Sequence, residues 1–207
     1  MRMVDTIYFK RRMKMNDILE NILTRRSIRA FKKDQIPEED LNTILVAGSY
    51  APNGMGLQDW KFTAIQNATT LKKVNEAIRQ TLLSIPIVPE IHPYVMSLIE
   101  KAKDENADFL YHAPTFIIVS NLKDNGNSMP DSALAIGNMM LAAHSIGIGS
   151  CWLNQLPGLT HLPLIRELLT DLDVPEHHIV YGSVVMGYAA GESKPAAPRK
   201  NVIHIIR

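Results

Sequence analysis

Apolar residues recur at helical spacing in some stretches of the chain and in unbroken runs in others. Ile18, Leu19, Ile22 and Leu23 share one face of a segment that Asn16 or Asp17 can cap, which predicts a helix to about Thr24. Pro37 with Glu38, Glu39 and Asp40 opens a second helix, because a proline and acids both suit the positive end of the helix dipole. Leu41, Ile44, Leu45 and Gly48 form its inner stripe. Thr69 or Thr70 starts a helix to about Leu83, and further helices are predicted over Tyr94–Tyr111, Asp131–Ile146 and Pro163–Leu172. Strands are predicted at Trp60–Ile65, Ala113–Ser120, Ser150–Leu153 and Ile179–Tyr188, the second from its β-branched run. Gly182 and Gly187 mark close packing within the last of these. Pro86, Pro89 and Pro93 keep Ser84–Pro93 irregular. Strands and helices interleave without a regular βαβ rhythm, so the class is α+β.

The helix over Asp131–Ile146 stands apart. Ala133, Ala135, Gly137, Ala142 and Ala143 permit close approach, while Ile136, Met139, Met140 and Leu141 add apolar bulk. A helix apolar nearly all round needs cover on every side, which points to a homodimer. A β-like run at Val202–Ile206 is a candidate for strand addition to a second copy.

Composition narrows the class by exclusion. The chain has 207 residues, 46% hydrophobic and 21% charged, as ordinary globular proteins do. Its longest apolar runs are far short of the ~18 residues that a membrane span needs. The single cysteine, Cys151, permits no internal disulfide and no multi-cysteine zinc site, and it suggests a reducing, cytoplasmic setting. Residues 1–14 hold Arg2, Lys10, Arg11, Arg12 and Lys14 against Asp5, a charge of +4, so the remainder of the +1 chain sums to −3. A body of that charge lacks a nucleic-acid footprint. The segment 1–14 reads as an extension or as the product of an upstream start with Met15 the natural one, leaving 15–207 as one domain.

Two constellations carry candidate chemistry. Arg25-Arg26-Ser27-Ile28-Arg29 places three guanidiniums and a hydroxyl at a helix end. In an extended segment Arg25, Ser27 and Arg29 point the same way, and arginine forks suit a phosphate. The same residues also fit a solvated helix end favoured by the dipole. Ala51-Pro52-Asn53-Gly54-Met55-Gly56-Leu57-Gln58-Asp59-Trp60 offers backbone N–H groups and amides with little bulk, as the edge of a flat heteroaromatic ligand requires; it equally fits a plain connection. Gly147-Ile148-Gly149 lacks the third glycine of a dinucleotide fingerprint and follows a helix, so it reads as a helix C-cap. No metal-binding spacing is present.

Together these segments resemble the nitroreductase family of flavin enzymes. The likeness continues through Asp131–Ala143, His144–Trp152, Val184–Tyr188 and Pro198-Arg199, in family order from Ile18 to Arg199. The resemblance implies a sandwich with a central, mostly antiparallel sheet flanked by helices and a domain-swapped C-terminal tail. It also implies one FMN in each of two sites at a homodimer interface. Arg25, Ser27 and Arg29 would hold the FMN phosphate, ribityl chain and pyrimidine edge, with Arg26 contributing through its backbone. Arg199 would be a C-terminal phosphate ligand. Pro52, Asn53 and Gly54 would touch the flavin from the other subunit, and Gln58 would support that loop. Asn154 lies where a family backbone N–H approaches flavin N5.

The chain departs from the family pattern at Gly56, usually Asn, at Asp59, usually Pro, and at Gln155, often Gly. Lys72, Lys73 and Arg79 are alternatives for the cation near the flavin N1 edge, and Lys200 is offset from the usual second basic position. The implied activity is ping-pong electron transfer from NADH or NADPH, through FMN, to a nitroaromatic, quinone or similar acceptor. No side-chain acid or base is assigned, since hydride steps need none. The alternatives are a specialised flavin enzyme, by reductive dehalogenation or flavin fragmentation, and a non-catalytic FMN-binding protein. Ser84–Pro93 is either part of a lid over the flavin or a surface loop filling a satellite cluster.

Overall fold

A computed structural model describes residues 15–193, 195–200 and 203–207. The basic segment 1–14 lies outside the described residues, as do Lys194, Asn201 and Val202. The fold is built on a sheet of β1 (Lys61–Ile65), β2 (Thr115–Leu122), β3 (Gly149–Leu153) and β4 (His178–Gly187). Its strand order is β1-β2-β4-β3, and each neighbouring pair is antiparallel. β2 is central and buried from Thr115 to Asn121, as its unbroken β-branched run requires.

Alternation along β2 divides the core between the two faces of the sheet. Phe116 and Ile118 face a cluster with Val74, Ile78, Leu82, Ile99 and Leu169. These come from α3 (Ala68–Ser84), α4 (Pro93–Ala102) and α7 (Pro163–Asp171). Ile117 and Val119 face Leu41, Ile44, Ile136, Met139 and Ala143, from α2 (Glu38–Ser49) and α5 (Ser128–Ser145). The result is a helix–sheet–helix sandwich, the α+β arrangement expected from the chain's pattern.

The first helix, α1 (Asp17–Thr24), is capped by Asn16, whose side chain accepts from Leu19 N. It has an apolar face but no buried residue, and Ile18 is 70% exposed. At the far end of α5, Gly147 adopts φ 80°. Gly147 N donates to His144 O at 3.1 Å and Ile148 N to Ala143 O at 2.8 Å, the paired bonds of a Schellman cap. The glycine pair after α5 is thus a helix stop, as expected.

Several boundaries differ from the periodicity. α4 ends at Ala102 rather than running to Tyr111. Beyond it Asp104 accepts from Asn106 N, and Asp108 accepts from Leu110 N and His112 N. These aspartate turns outcompete helical bonding, and Tyr111 and His112 take positive φ. α5 begins at Ser128, two residues before Pro130, since a proline in the first turn removes an N–H that has no helical partner. A short helix, α6 (Gln155–Leu159), was hidden in the sequence by Pro157 and Gly158. β1 begins at Lys61, with Trp60 stacked on Phe62 just before it at 5.8 Å. The described part of the C-terminal tail has no regular structure; Ile203 is 77% and Ile206 87% exposed.

Gly187 closes the sheet against the chain that follows α1. A Cβ there would lie 2.8 Å from Pro114 Cδ and 3.1 Å from Phe31 Cδ1. The proline ring cannot yield as a flexible side chain would. Gly187→Ala is expected to lower stability by ~1–3 kcal/mol, read as a lower urea midpoint with an unchanged slope.

Candidate functional site

Helix α1 ends at Arg25, whose backbone turns out of the helix at φ −54°, ψ 134°. The next residues run extended along the edge of the sheet. Ser27 forms a parallel bridge with Ser150, and Ile28 N donates to Ser150 O at 2.9 Å. Phe31 pairs with Ala189, and Lys32 N donates to Tyr188 O at 2.8 Å. The basic segment is therefore extended and bridged to the edge of the sheet, and Arg25, Ser27 and Arg29 take alternate positions along it.

These three act on one buried group. Burial pushes the Cys151 thiol up, against Arg29, the Ser27 hydroxyl and Arg25, all of which pull it down. Arg26 behaves differently: its Nη1 folds back on the carbonyls of Leu23, at 2.8 Å, and Arg25, at 2.6 Å. Among the described residues, Nη1 of Arg25 is buried without a hydrogen-bond partner, and so is the Ser150 hydroxyl. Both residues line a cleft of about 250 Å³ with Thr24, Arg26, His144 and Ser193. Among the described residues, no carboxylate lines it. A cleft lined by guanidiniums and hydroxyls suits an oxyanion.

His144 sits in the last turn of α5, with Nε2 2.9 Å from Thr24 Oγ1. Burial first, then Arg25 and then Arg26 hold its imidazole below the ordinary value. Nothing local in the sequence marks it, because its partner Thr24 stands 120 residues away along the chain.

The second constellation is a tight loop. Gln58 N donates to Asn53 Oδ1 at 3.2 Å, and Met55, Gly56 and Gln58 all have positive φ. The backbone amide of Gln58 thus closes the loop. Gly54 N donates to Asp131 Oδ1 at 3.0 Å, which pins the loop to the first turn of α5. Met55 is 89% exposed at the tip. Asp131 and His144 lie at opposite ends of α5, ~20 Å apart along its axis for the ~13 residues between them. The arginine segment and the Pro52–Gln58 loop of one chain accordingly sit at separate ends of the same helix.

The remaining expected residues are placed as follows. Asn154 precedes α6 and accepts from Trp152 Nε1 at 3.4 Å, with Gln155 next to it in the helix. Arg199 and Lys200 lie exposed in the tail. Arg79 is engaged by Glu76 Oε1 at 3.0 Å, while Lys72 and Lys73 are exposed. In Ser84–Pro93, Ile85 and Ile91 pack on the core and Ile87 and Val88 are exposed. Among the described residues, no three potential ligands cluster for a metal, and no helix is long and apolar enough to cross a membrane.

With this geometry, residues 22–188 match the profile of the Nitroreductase family, and the chain belongs to that family. A nitroreductase structure with bound FMN from Bacteroides fragilis is 42% identical and superposes with a TM-score of 0.85, over 93% of this chain and 100% of that one. A Methanothermobacter thermautotrophicus protein provisionally named NADH dehydrogenase/NAD(P)H nitroreductase is 32% identical over 89% of this chain and 84% of its own length. An iodotyrosine deiodinase from Thermotoga neapolitana is 27% identical over 86% of this chain and 91% of its own.

The Gly54–Asp131 bond yields a direct test. Hydrogen bonds to charged groups are worth ~1.5–3 kcal/mol, so Asp131→Ala is expected to speed hydrogen exchange at the Gly54 amide roughly 10- to 100-fold. Asp131→Asn, which keeps an acceptor oxygen, should move it much less. Equal rates in all three proteins would show that the loop is held by other means.

Proposed function

We propose that this chain is an FMN-dependent oxidoreductase that takes electrons from NADH or NADPH and passes them to a nitroaromatic, quinone or similar small acceptor. The observation that carries this reading is the cationic cleft beside the extended arginine segment. There the buried Arg25 Nη1 and the Ser150 hydroxyl lack partners. A phosphate monoester fits such a donor set, and the capping of Ala143 O and His144 O by Gly147 and Ile148 keeps those carbonyls from opposing it.

In this reading Arg25, Ser27 and Arg29 together hold the phosphate, ribityl chain and pyrimidine edge, and Arg26 supports them through its backbone. Arg199 joins from the tail as a second phosphate ligand. The Asn154 backbone N–H lies near flavin N5. Pro52, Asn53 and Gly54 line the ring from the partner subunit, with Gln58 holding their loop closed. FMN held by these residues would supply the hydride and electron-transfer chemistry, in two half-reactions with ping-pong kinetics.

The assembly we infer is a homodimer in which residues 15–207 act as one FMN-binding domain. Leu134, Gly137 and Leu141 leave an incompletely covered stripe on α5, and Leu134 is 46% exposed. Antiparallel pairing of two α5 helices would bring the Asp131 end of one beside the His144 end of the other, bridging the ~20 Å between the half-sites. The exposed isoleucines of the tail suit a swap onto the partner. The reducing setting suggested by a lone, buried cysteine agrees with a cytoplasmic protein. The deiodinase relative gives reductive dehalogenation a specific claim as the second reading.

Anaerobic stopped-flow reduction decides between them. NADH or NADPH is expected to bleach the bound flavin, and a panel of quinones, nitroaromatics and iodinated phenols is expected to restore its colour, fastest with the first two. Fast recovery with the iodinated phenols alone would favour dehalogenation, and no reduction by either nicotinamide would exclude the proposed activity.

The phosphate assignment has its own check. Arg29→Ala combined with Arg199→Ala removes two charge-assisted contacts at ~1.5–3 kcal/mol each. The double variant is expected to lose its flavin absorbance on dialysis; full retention would refute the assignment.

A further inference from the structure

Thr24 has one hydroxyl proton, and the structure shows where it goes. Oγ1 donates to Glu20 O at 2.7 Å, the back-bond of a helical threonine. The same oxygen lies 2.9 Å from His144 Nε2, so it can only accept from that nitrogen. Nε2 therefore carries a hydrogen, and the neutral ring has its lone pair on Nδ1, which makes no hydrogen bond among the described residues. The ring borders the cleft that Arg25, Arg26 and Ser150 also line.

We propose that His144 is a proton-linked ligand of the FMN phosphate: neutral in the free cleft, it takes one proton from solvent onto Nδ1 when the phosphate dianion binds. This rests on the reading of the cleft as the phosphate site. The groups that face His144 favour this division. From the end of α1 come Thr24, Arg25 and Arg26, two of them cations; from β3 comes the neutral Ser150, and from the segment after β4 the neutral Ser193. No lining carboxylate offsets the guanidiniums, so the free site opposes an imidazolium, in keeping with its lowered basicity. A dianion between the same groups reverses the balance, and the C-terminal end of α5 adds to the preference for a cation.

The sign follows from linkage. A site that is neutral when free and charged when loaded takes up a proton on binding, so affinity falls as pH rises. The FMN dissociation constant, read from flavin fluorescence released on diluting the purified holoprotein, is expected to climb between pH 7 and 9 by up to about tenfold per unit. The phosphate's own second proton, with a pKa of about 6, acts below this window. His144→Gln keeps an N–H donor for Thr24 but cannot titrate, and it should flatten the climb. Riboflavin, which lacks the phosphate, should show no climb with the wild-type protein. The 31P resonance of FMN bound to the wild-type protein supplies a readout that needs no variant: an inflection between pH 7 and 9 is expected. A flat wild-type profile, an equal slope in His144→Gln, or a 31P shift constant across the window would each overturn the proposal while leaving FMN binding intact. Failure of the wild-type protein to retain FMN at any pH would overturn the site reading as well.

Discussion

Helix α5 has to be buried on nearly every side, and the rest of the molecule is arranged around that demand. Ile136, Met139 and Ala143 fill the core under the sheet. Asn21 of α1 donates to Leu141 O at 2.9 Å, and Asn138 donates to Ala47 O of α2 at 3.2 Å. A helix held this tightly is a rigid rod, and both candidate half-sites are fixed to its ends. Asp131 anchors the Gly54 loop at one end, and the Schellman cap turns the chain into β3 beside the arginine segment at the other. The stripe through Leu134 and Gly137 is what a single copy leaves incompletely covered.

Electrostatics then divides the two ends by function. The arginine end concentrates positive charge around the half-buried His144 ring and the buried Cys151 thiol, whose proton affinities shift in opposite directions under burial. The loop end carries no such concentration; it offers strained backbone instead, with Met55 and Gln58 in the left-handed region.

Much of this was legible in the sequence, and for physical reasons. The β-branched run Phe116–Val119 could only be an inner strand, and Gly147 could only be a helix stop. The alternation of Arg25, Ser27 and Arg29 is meaningful because the chain leaves the helix at Arg25, a point that periodicity marked within a residue. What could not be read depended on side chains meeting across long separations. The aspartate turns after Ala102 look helical until Asp108 is seen accepting from two amides. His144 looks like a polar interruption in an apolar helix until Thr24 supplies its partner. Asp131 was visible only as an acid near the start of a helix, and its bond to Gly54 needed the fold.

The segment between α3 and α4 has a different standing from everything else. It is tied to the core at Ile85 and Ile91, with Ile87 and Val88 exposed between those points, and none of it joins the sheet. Lengthening a flexible loop costs only ~0.6 kcal/mol per doubling. Insertions, deletions and substitutions between the two isoleucines can therefore accumulate without disturbing the strands or α5. Evolution can rewrite this stretch quickly while the scaffold stays still.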